Sequence, residues 1–142
     1  MTLSSLNDTS LNWRGIHHIA LATSDIEATI AFYKDILNMQ VSDIFPSKDN
    51  RGRHCLVFVK PGDAETWGLH FFERLVKLPD TTSLEIAASQ GHLLHIAFRV
   101  LDVSTAYVLR QNLERNNIAI TDIEELGTFV FWDNNGIMLE IT

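Results

Sequence analysis

Apolar and polar positions alternate along the chain in short blocks whose period switches between two residues and about three and a half. From Gly15 to Thr23 the period is two: Ile19 and Leu21 alternate with His18, Ala20 and Ala22, the pattern of a strand. Ser24 or Asp25 then caps a helix expected to run to about Asn38. Its apolar residues Ile26, Ile30, Tyr33 and Leu37 lie four, three and four apart, on one helical face. Strands are predicted over Met39–Phe45, His54–Lys60 and Thr66–Phe72, separated by a loop from Pro46 to Gly52 and a turn at Pro61-Gly62-Asp63. A polar connector, Lys77 to Gly91, carries at most a helical turn around Leu84 to Ala88. The pattern then restarts. Leu93–Val100 is a strand, and Val103 to about Asn116 is a helix with Val103, Tyr107, Arg110 and Leu113 on one side. Ile118–Ile123, Thr128–Trp132 and Ile137–Thr142 are strands, the last two joined by a tight turn at Asp133-Asn134-Asn135-Gly136.

The order is strand, helix, three strands, twice over, in one α+β domain. An arm (1–14, with Trp13 an anchor on the body) precedes the domain (15–142), which comprises unit one (15–76), the connector (77–91) and unit two (92–142). The repeat is visible in the residues themselves. His18-Ile19-Ala20-Leu21 and His95-Ile96-Ala97-Phe98 lie 77 residues apart, and Asp25-Ile26 and Asp102-Val103 keep the same offset.

Strand parity gives the repeat a chemical meaning. Successive residues of a strand face opposite sides of the sheet. If Ile19 and Leu21 pack on the helix, His18 faces away; if Ile96 and Phe98 do, so does His95. In the last strand of each unit the rule leaves His70 and Glu140 on that same outer face. Two sheets curving about a shared axis would let His18, His70, His95 and Glu140 converge. Three imidazoles and one carboxylate suit a single divalent ion: Zn, Ni, Co, Mn or Fe(II). Arg99 shares the parity of His95 and is a candidate for an anionic substrate. His54 is a further candidate in the cup, although the parity of its strand is ambiguous. His17 should face the helix side as a structural residue, and Cys55 should be packing.

Composition narrows the partners. At 142 residues the chain has the length of one domain, and a net charge of −7 leaves no basic stripe for a nucleic acid. A lone cysteine excludes a disulfide framework or a thiolate metal cluster. No apolar run approaches membrane-spanning length, and the first fourteen residues do not resemble a secretory signal, so a cytoplasmic protein is expected.

Four pieces, Gly15-Ile-His-His-Ile-Ala-Leu21, Phe32-Tyr33 before Leu37-Asn38-Met39, His95-Ile-Ala-Phe98 and Gly136-Ile-Met-Leu-Glu-Ile141, resemble the vicinal oxygen chelate superfamily. That superfamily includes glyoxalase I, bleomycin-resistance proteins, methylmalonyl-CoA epimerase and extradiol dioxygenases. The resemblance implies tandem βαβββ units whose curved mixed sheets enclose a metal-binding cup. It also implies a homodimer and a small-molecule substrate. The family's ligands fall on His18, His95 and Glu140, with His70 at its more variable fourth position. The turn before Gly136 lacks the proline common there.

A six-coordinate ion with these four ligands keeps two open positions, enough for the vicinal oxygens of a chelating substrate. The expected activity is therefore that of a glyoxalase-type lyase or isomerase. Glu140, loosening from the metal, or a metal-bound hydroxide would take the proton. An extradiol dioxygenase is the alternative if His70 does not coordinate. A binding or resistance protein without turnover is another. With Glu140 two residues from Thr142, no arginine beyond it is expected to bind an anion, which weighs against a glutathione-transferring relative.

Overall fold

The computed structural model describes residues 13–46, 52–60, 67–75 and 93–142. Four strands form the first sheet: β1 (His18–Thr23), β2 (Gln40–Val41), β3 (His54–Phe58) and β4 (Gly68–Glu73). Their order is β1-β4-β3-β2, with β1 parallel to β4 and the other pairs antiparallel. The second sheet repeats the plan with β5 (Ile96–Phe98), β6 (Thr121–Ile123), β7 (Thr128–Trp132) and β8 (Met138–Ile141), in the order β5-β8-β7-β6. Helix α1 (Ile26–Ala31) and helix α2 (Val103–Arg115) follow the first strand of each unit.

Both helices begin as the sequence predicts. Asp25 accepts a hydrogen bond from the Ala28 amide at 2.9 Å, and Asp102 accepts one from the Thr105 amide at 2.8 Å. They end alike too. Asn38 and Asn117 take the left-handed conformation that closes a helix, with φ 57° and 58°. Helix α2 closes with the Ile118 amide bonding back to the Leu113 carbonyl at 3.0 Å. The first helix differs from the expected single α-helix, because Phe32–Ile36 widens into a π-helical turn.

One apolar core joins the two units, drawing Leu69 and Phe71 from the first sheet, Phe131 and Leu139 from the second, and Ile26 and Leu113 from the helices. Polar bonds cross between units as well. The β7–β8 turn reaches under α1, where Asn135 Nδ2 donates to Thr29 Oγ1 at 3.0 Å and Thr23 Oγ1 donates to Asn135 Oδ1 at 2.7 Å. The two threonine hydroxyls lie 2.8 Å apart, closing the ring. Tyr33 donates to Asp133 Oδ2 at 2.7 Å. Asp133 Oδ1 receives the amides of Asn135 and Ile137, which fixes the turn from inside.

Several expectations need correction. Trp13 is exposed and so does not pack as the expected anchor among the described residues; Val103 and Tyr107 point to solvent, while Ala106, Leu109 and Leu113 face the core. The expected strand over Met39–Phe45 shrinks to β2 plus a bridge at Phe45. The reason is local: Ser42 Oγ takes the Leu56 amide at 2.8 Å, so a side chain replaces the backbone acceptor of a regular ladder. The expected strand from Leu93 starts only at Ile96, with Leu93 and Leu94 exposed. The arm before Trp13, most of the loop from Pro46 to Gly52, the turn at Pro61-Gly62-Asp63, the connector 77–91 and His92 lie outside the described residues.

Candidate functional site

The β1–β4 register pairs Ala20 with His70 and His18 with Gly68, so the two histidines are diagonal neighbours on one face. Their ring centroids are 5.7 Å apart. The opposite face carries Leu69, Phe71, Cys55 and Val57, all buried, which leaves the histidine face uncovered by the core. In unit two the β5–β8 register pairs Ala97 with Glu140, so His95 is diagonal to Glu140 as His18 is to His70. His95 Nε2 lies 3.1 Å from Glu140 Oε2, with the carboxylate 16% exposed.

Around the first pair is an aromatic surround. Trp67 stands 4.8 Å from the His18 ring and edge-on to His70 at 5.6 Å. Phe72 contacts His70 with a centroid separation of 4.1 Å. His17 is not on the helix side. It is exposed, its Nδ1 is 2.7 Å from His18 Nδ1, and it meets Trp67 edge-on. Register also resolves His54: it pairs with Phe72, shares the face of His70, and places Nδ1 2.8 Å from His70 Nε2. Sequence parity alone could not settle this, because the length of the β3–β4 connection is not fixed by its residues.

Burial, then the nearby His54 and His18, holds the His70 pKa below 6.5. His70 is therefore neutral near pH 7, the form in which imidazole binds a metal. Three imidazoles and one carboxylate, His18, His70, His95 and Glu140, are a donor set whose chemistry suits a divalent ion. The structure brings the four residues together as two pairs, one on each sheet. Among the described residues, no three histidine, cysteine, aspartate or glutamate side chains converge at metal-binding separation.

Arg99 lies just past β5, exposed, on the rim of a groove of about 590 Å³ beside α2. That groove is mostly apolar, with Met39, Phe58 and Val108 among its walls. Cys55 is fully buried, and burial pushes its thiol up to about 11, so it is a packing residue. No helix among the described residues is long and apolar enough to cross a membrane.

The sequence profile of the Glyoxalase/Bleomycin resistance protein/Dioxygenase superfamily matches residues 15–141, both units from end to end. The chain belongs to this superfamily. Among curated proteins it is similar to mouse mitochondrial methylmalonyl-CoA epimerase, 26% identical over 127 residues, covering 87% of this chain and 67% of that one. Solved relatives share the fold. The trypanothione-dependent glyoxalase I of Leishmania major superposes with a TM-score of 0.66 at 20% identity, covering 91% of this chain and 86% of that one. A variant of the Listeria monocytogenes fosfomycin resistance protein FosX, bound to Mn(II) and 1S,2S-dihydroxypropylphosphonic acid, gives 0.63 at 16% identity, covering 91% of each chain.

Proposed function

We propose that the chain is a divalent-metal-dependent lyase or isomerase of the glyoxalase type, acting on a small substrate that offers the metal two vicinal oxygens. The observation that carries this reading is the equivalence of the two pairs: His18 with His70, and His95 with Glu140, occupy the same diagonal positions of their sheets. The mouse epimerase and the Mn(II)-bound resistance protein support it as superfamily relatives. His18, His70, His95 and Glu140 would hold the ion. A bound divalent ion supplies Lewis acidity, polarising a carbonyl and stabilising the charge that develops as a proton leaves the adjacent carbon.

The chain's own groups then divide the work. Glu140 is the one carboxylate of the proposed donor set, and it would take the proton as general base by loosening from the ion. His95, with Nε2 3.1 Å from that carboxylate, would hold the ion beside it. Trp67 and Phe72 keep the His70 side of the site dry, which strengthens every electrostatic contact made there. Because the pairs belong to different sheets, a homodimer that apposes the first sheet of one copy to the second sheet of the other would complete two sites.

The test is to strip the purified protein of metal, reload it with one divalent ion at a time, and measure both metal content and solvent-deuterium exchange at the acidic carbon of 2-oxo and 2-hydroxy acids. One ion per site with exchange that disappears in Glu140→Gln is the expected result. Stoichiometric metal without exchange on any substrate would favour a binding protein instead. Oxygen consumption with a catechol and Fe(II) would favour a dioxygenase. Sedimentation of the reloaded protein as a monomer would reject the shared-site arrangement.

A further inference from the structure

The four-residue set leaves out a histidine that touches it. His54 Nδ1 and His70 Nε2 are 2.8 Å apart, and both rings are held from outside that contact. His54 stacks on Phe72 at 5.3 Å with a 17° tilt and meets Phe45 at 5.3 Å on another side. Phe72 also packs on His70. The backbone continues the constraint, since the β3–β4 ladder pairs His54 with Phe72 and Leu56 with His70. Packing and register therefore set the nitrogen separation.

That separation has a chemical meaning. Metal–imidazole bonds are about 2.1 Å, so two adjacent nitrogens at right angles around one ion lie roughly 3.0 Å apart. The His54–His70 distance is close to this. The distance between His95 Nε2 and Glu140 Oε2, 3.1 Å, is close to it as well. A hydrogen bond between the two imidazoles would also give 2.8 Å, but it points the His70 Nε2 lone pair or proton at His54. His70 could not then use Nε2 for a metal until that contact opened. An ion bound to both nitrogens, at the apex of the near-right angle, removes the conflict while leaving their separation almost unchanged.

We propose that His54 Nδ1 and His70 Nε2 form a chelating pair, which makes His54 a fifth protein ligand of the metal. The inference rests on the metal-dependent reading above and refines its donor set. Five protein ligands leave one position open on a six-coordinate ion. A substrate that binds through two oxygens must then displace one ligand. His54 is the one to yield, since it stands outside the pairs repeated between the units.

Protein labelled with ¹⁵N in its histidine rings, titrated with Zn(II) alone, tests this without any assay of turnover. Both His54 Nδ1 and His70 Nε2 should move to metal-bound shifts at one equivalent of zinc. Two variants separate coordination from positioning. His54→Asn keeps a polar group near the Nδ1 position and can still bond to His70, whereas His54→Phe removes it. If His54 coordinates, both weaken zinc binding, and His54→Asn does so although its bond to His70 is kept; a partner that only positions His70 would cost about tenfold or more in His54→Phe alone. If His54→Asn binds zinc as tightly as wild type, or if the wild-type His54 Nδ1 signal stays fixed while His70 moves, His54 only positions its neighbour and the proposal is overturned. A wild type that takes up no stoichiometric zinc or other divalent ion overturns the metal-dependent function itself, a different failure from zinc bound without His54.

Discussion

His95 and Glu140 meet at 3.1 Å on the open face of the second sheet, at the place where His18 and His70 lie diagonal to one another on the first. The arrangement follows from two parallel strand pairs, β1 with β4 and β5 with β8, with Ala20 opposite His70 in the first and Ala97 opposite Glu140 in the second. The small Ala20 and Ala97 leave room over the sheet between the larger side chains. If each pair is half of one metal site, removing either half should cost the whole. His18→Ala and His95→Ala are both expected to lose stoichiometric metal after reloading, while their urea midpoints stay near wild type because neither side chain belongs to the buried core. Elemental analysis beside a denaturation curve checks this; metal retained in both variants would place the ion elsewhere.

Tyr33 offers a stability test away from the site. Its hydroxyl donates to Asp133 Oδ2 between the units, in a setting where Tyr33 is fully buried. Burial, and then the Asp133 carboxylate, hold the Tyr33 pKa well above 10.0, so the phenol remains a donor. Tyr33→Phe keeps the ring contact with Phe71 but strands a buried carboxylate oxygen. The expected cost is about 1–3 kcal/mol in urea unfolding. In an Asp133→Asn background the same substitution should cost measurably less, because the charge being stranded is gone. Equal costs in the two backgrounds would show that the bond is not what Tyr33 contributes.

Much of this was legible in the residues, and the exceptions have physical causes. The strand at Thr128–Trp132 has the predicted bounds, the first helix is capped by Asp25, one of the two residues expected there, and the second begins at the expected Val103. Helix α2 was placed well but turned wrongly. Val103, Tyr107, Arg110 and Leu113 fit a helical stripe, yet so do Ala106, Leu109 and Leu113, and only packing against the sheet selects between them. The β2 region failed because Ser42 bonds through its side chain, a choice that periodicity does not encode. At the site, the period-two pattern put His18, His70, His95 and Glu140 on the outer faces. The contact between His54 and His70 needed the β3–β4 register, which no pattern within either strand supplies.

Asp133 gives a pH signature of known sign. Burial raises its pKa above 3.8, although Tyr33 and the amides of Ile137 and Asn135 pull it back. The folded protein therefore holds this proton more tightly than the unfolded chain. Below 3.8 the group is protonated in both states, and the advantage of folding with the proton on is complete. As pH rises from 3.8 to the folded value, the unfolded chain ionises first and that advantage is lost; above the folded value it stays lost. Stability of the wild type relative to Asp133→Asn should thus fall with rising pH across this window and level off afterwards. Urea titrations of both proteins at several pH values over roughly 3 to 7 measure the difference. A difference that grows with pH would reverse the assignment.

Gly68 ties the strand geometry to the site. It opens β4 with φ +99°, well outside the left-handed helical region that asparagine can share. It pairs with His18 across the β1–β4 ladder, and its amide donates to the His17 carbonyl at 3.3 Å. A Cβ added there would sit 2.4 Å from Val59 Cγ2 and 2.8 Å from Val59 Cβ. Gly68→Ala thus carries two separate penalties, backbone strain of about 1–3 kcal/mol and a steric clash with Val59. Val59→Ala in the same chain relieves the contact with Cγ2 but neither the 2.8 Å contact with Cβ nor the strain, so the double variant should recover part of the lost stability and not all of it. Displacing the first residue of β4 also shifts Trp67 and the partner of His18. Metal affinity should therefore fall in Gly68→Ala even at temperatures where the protein remains folded. Full recovery of both stability and metal binding in the double variant would mean that the backbone at residue 68 has no need of glycine, and that sterics alone explain its presence.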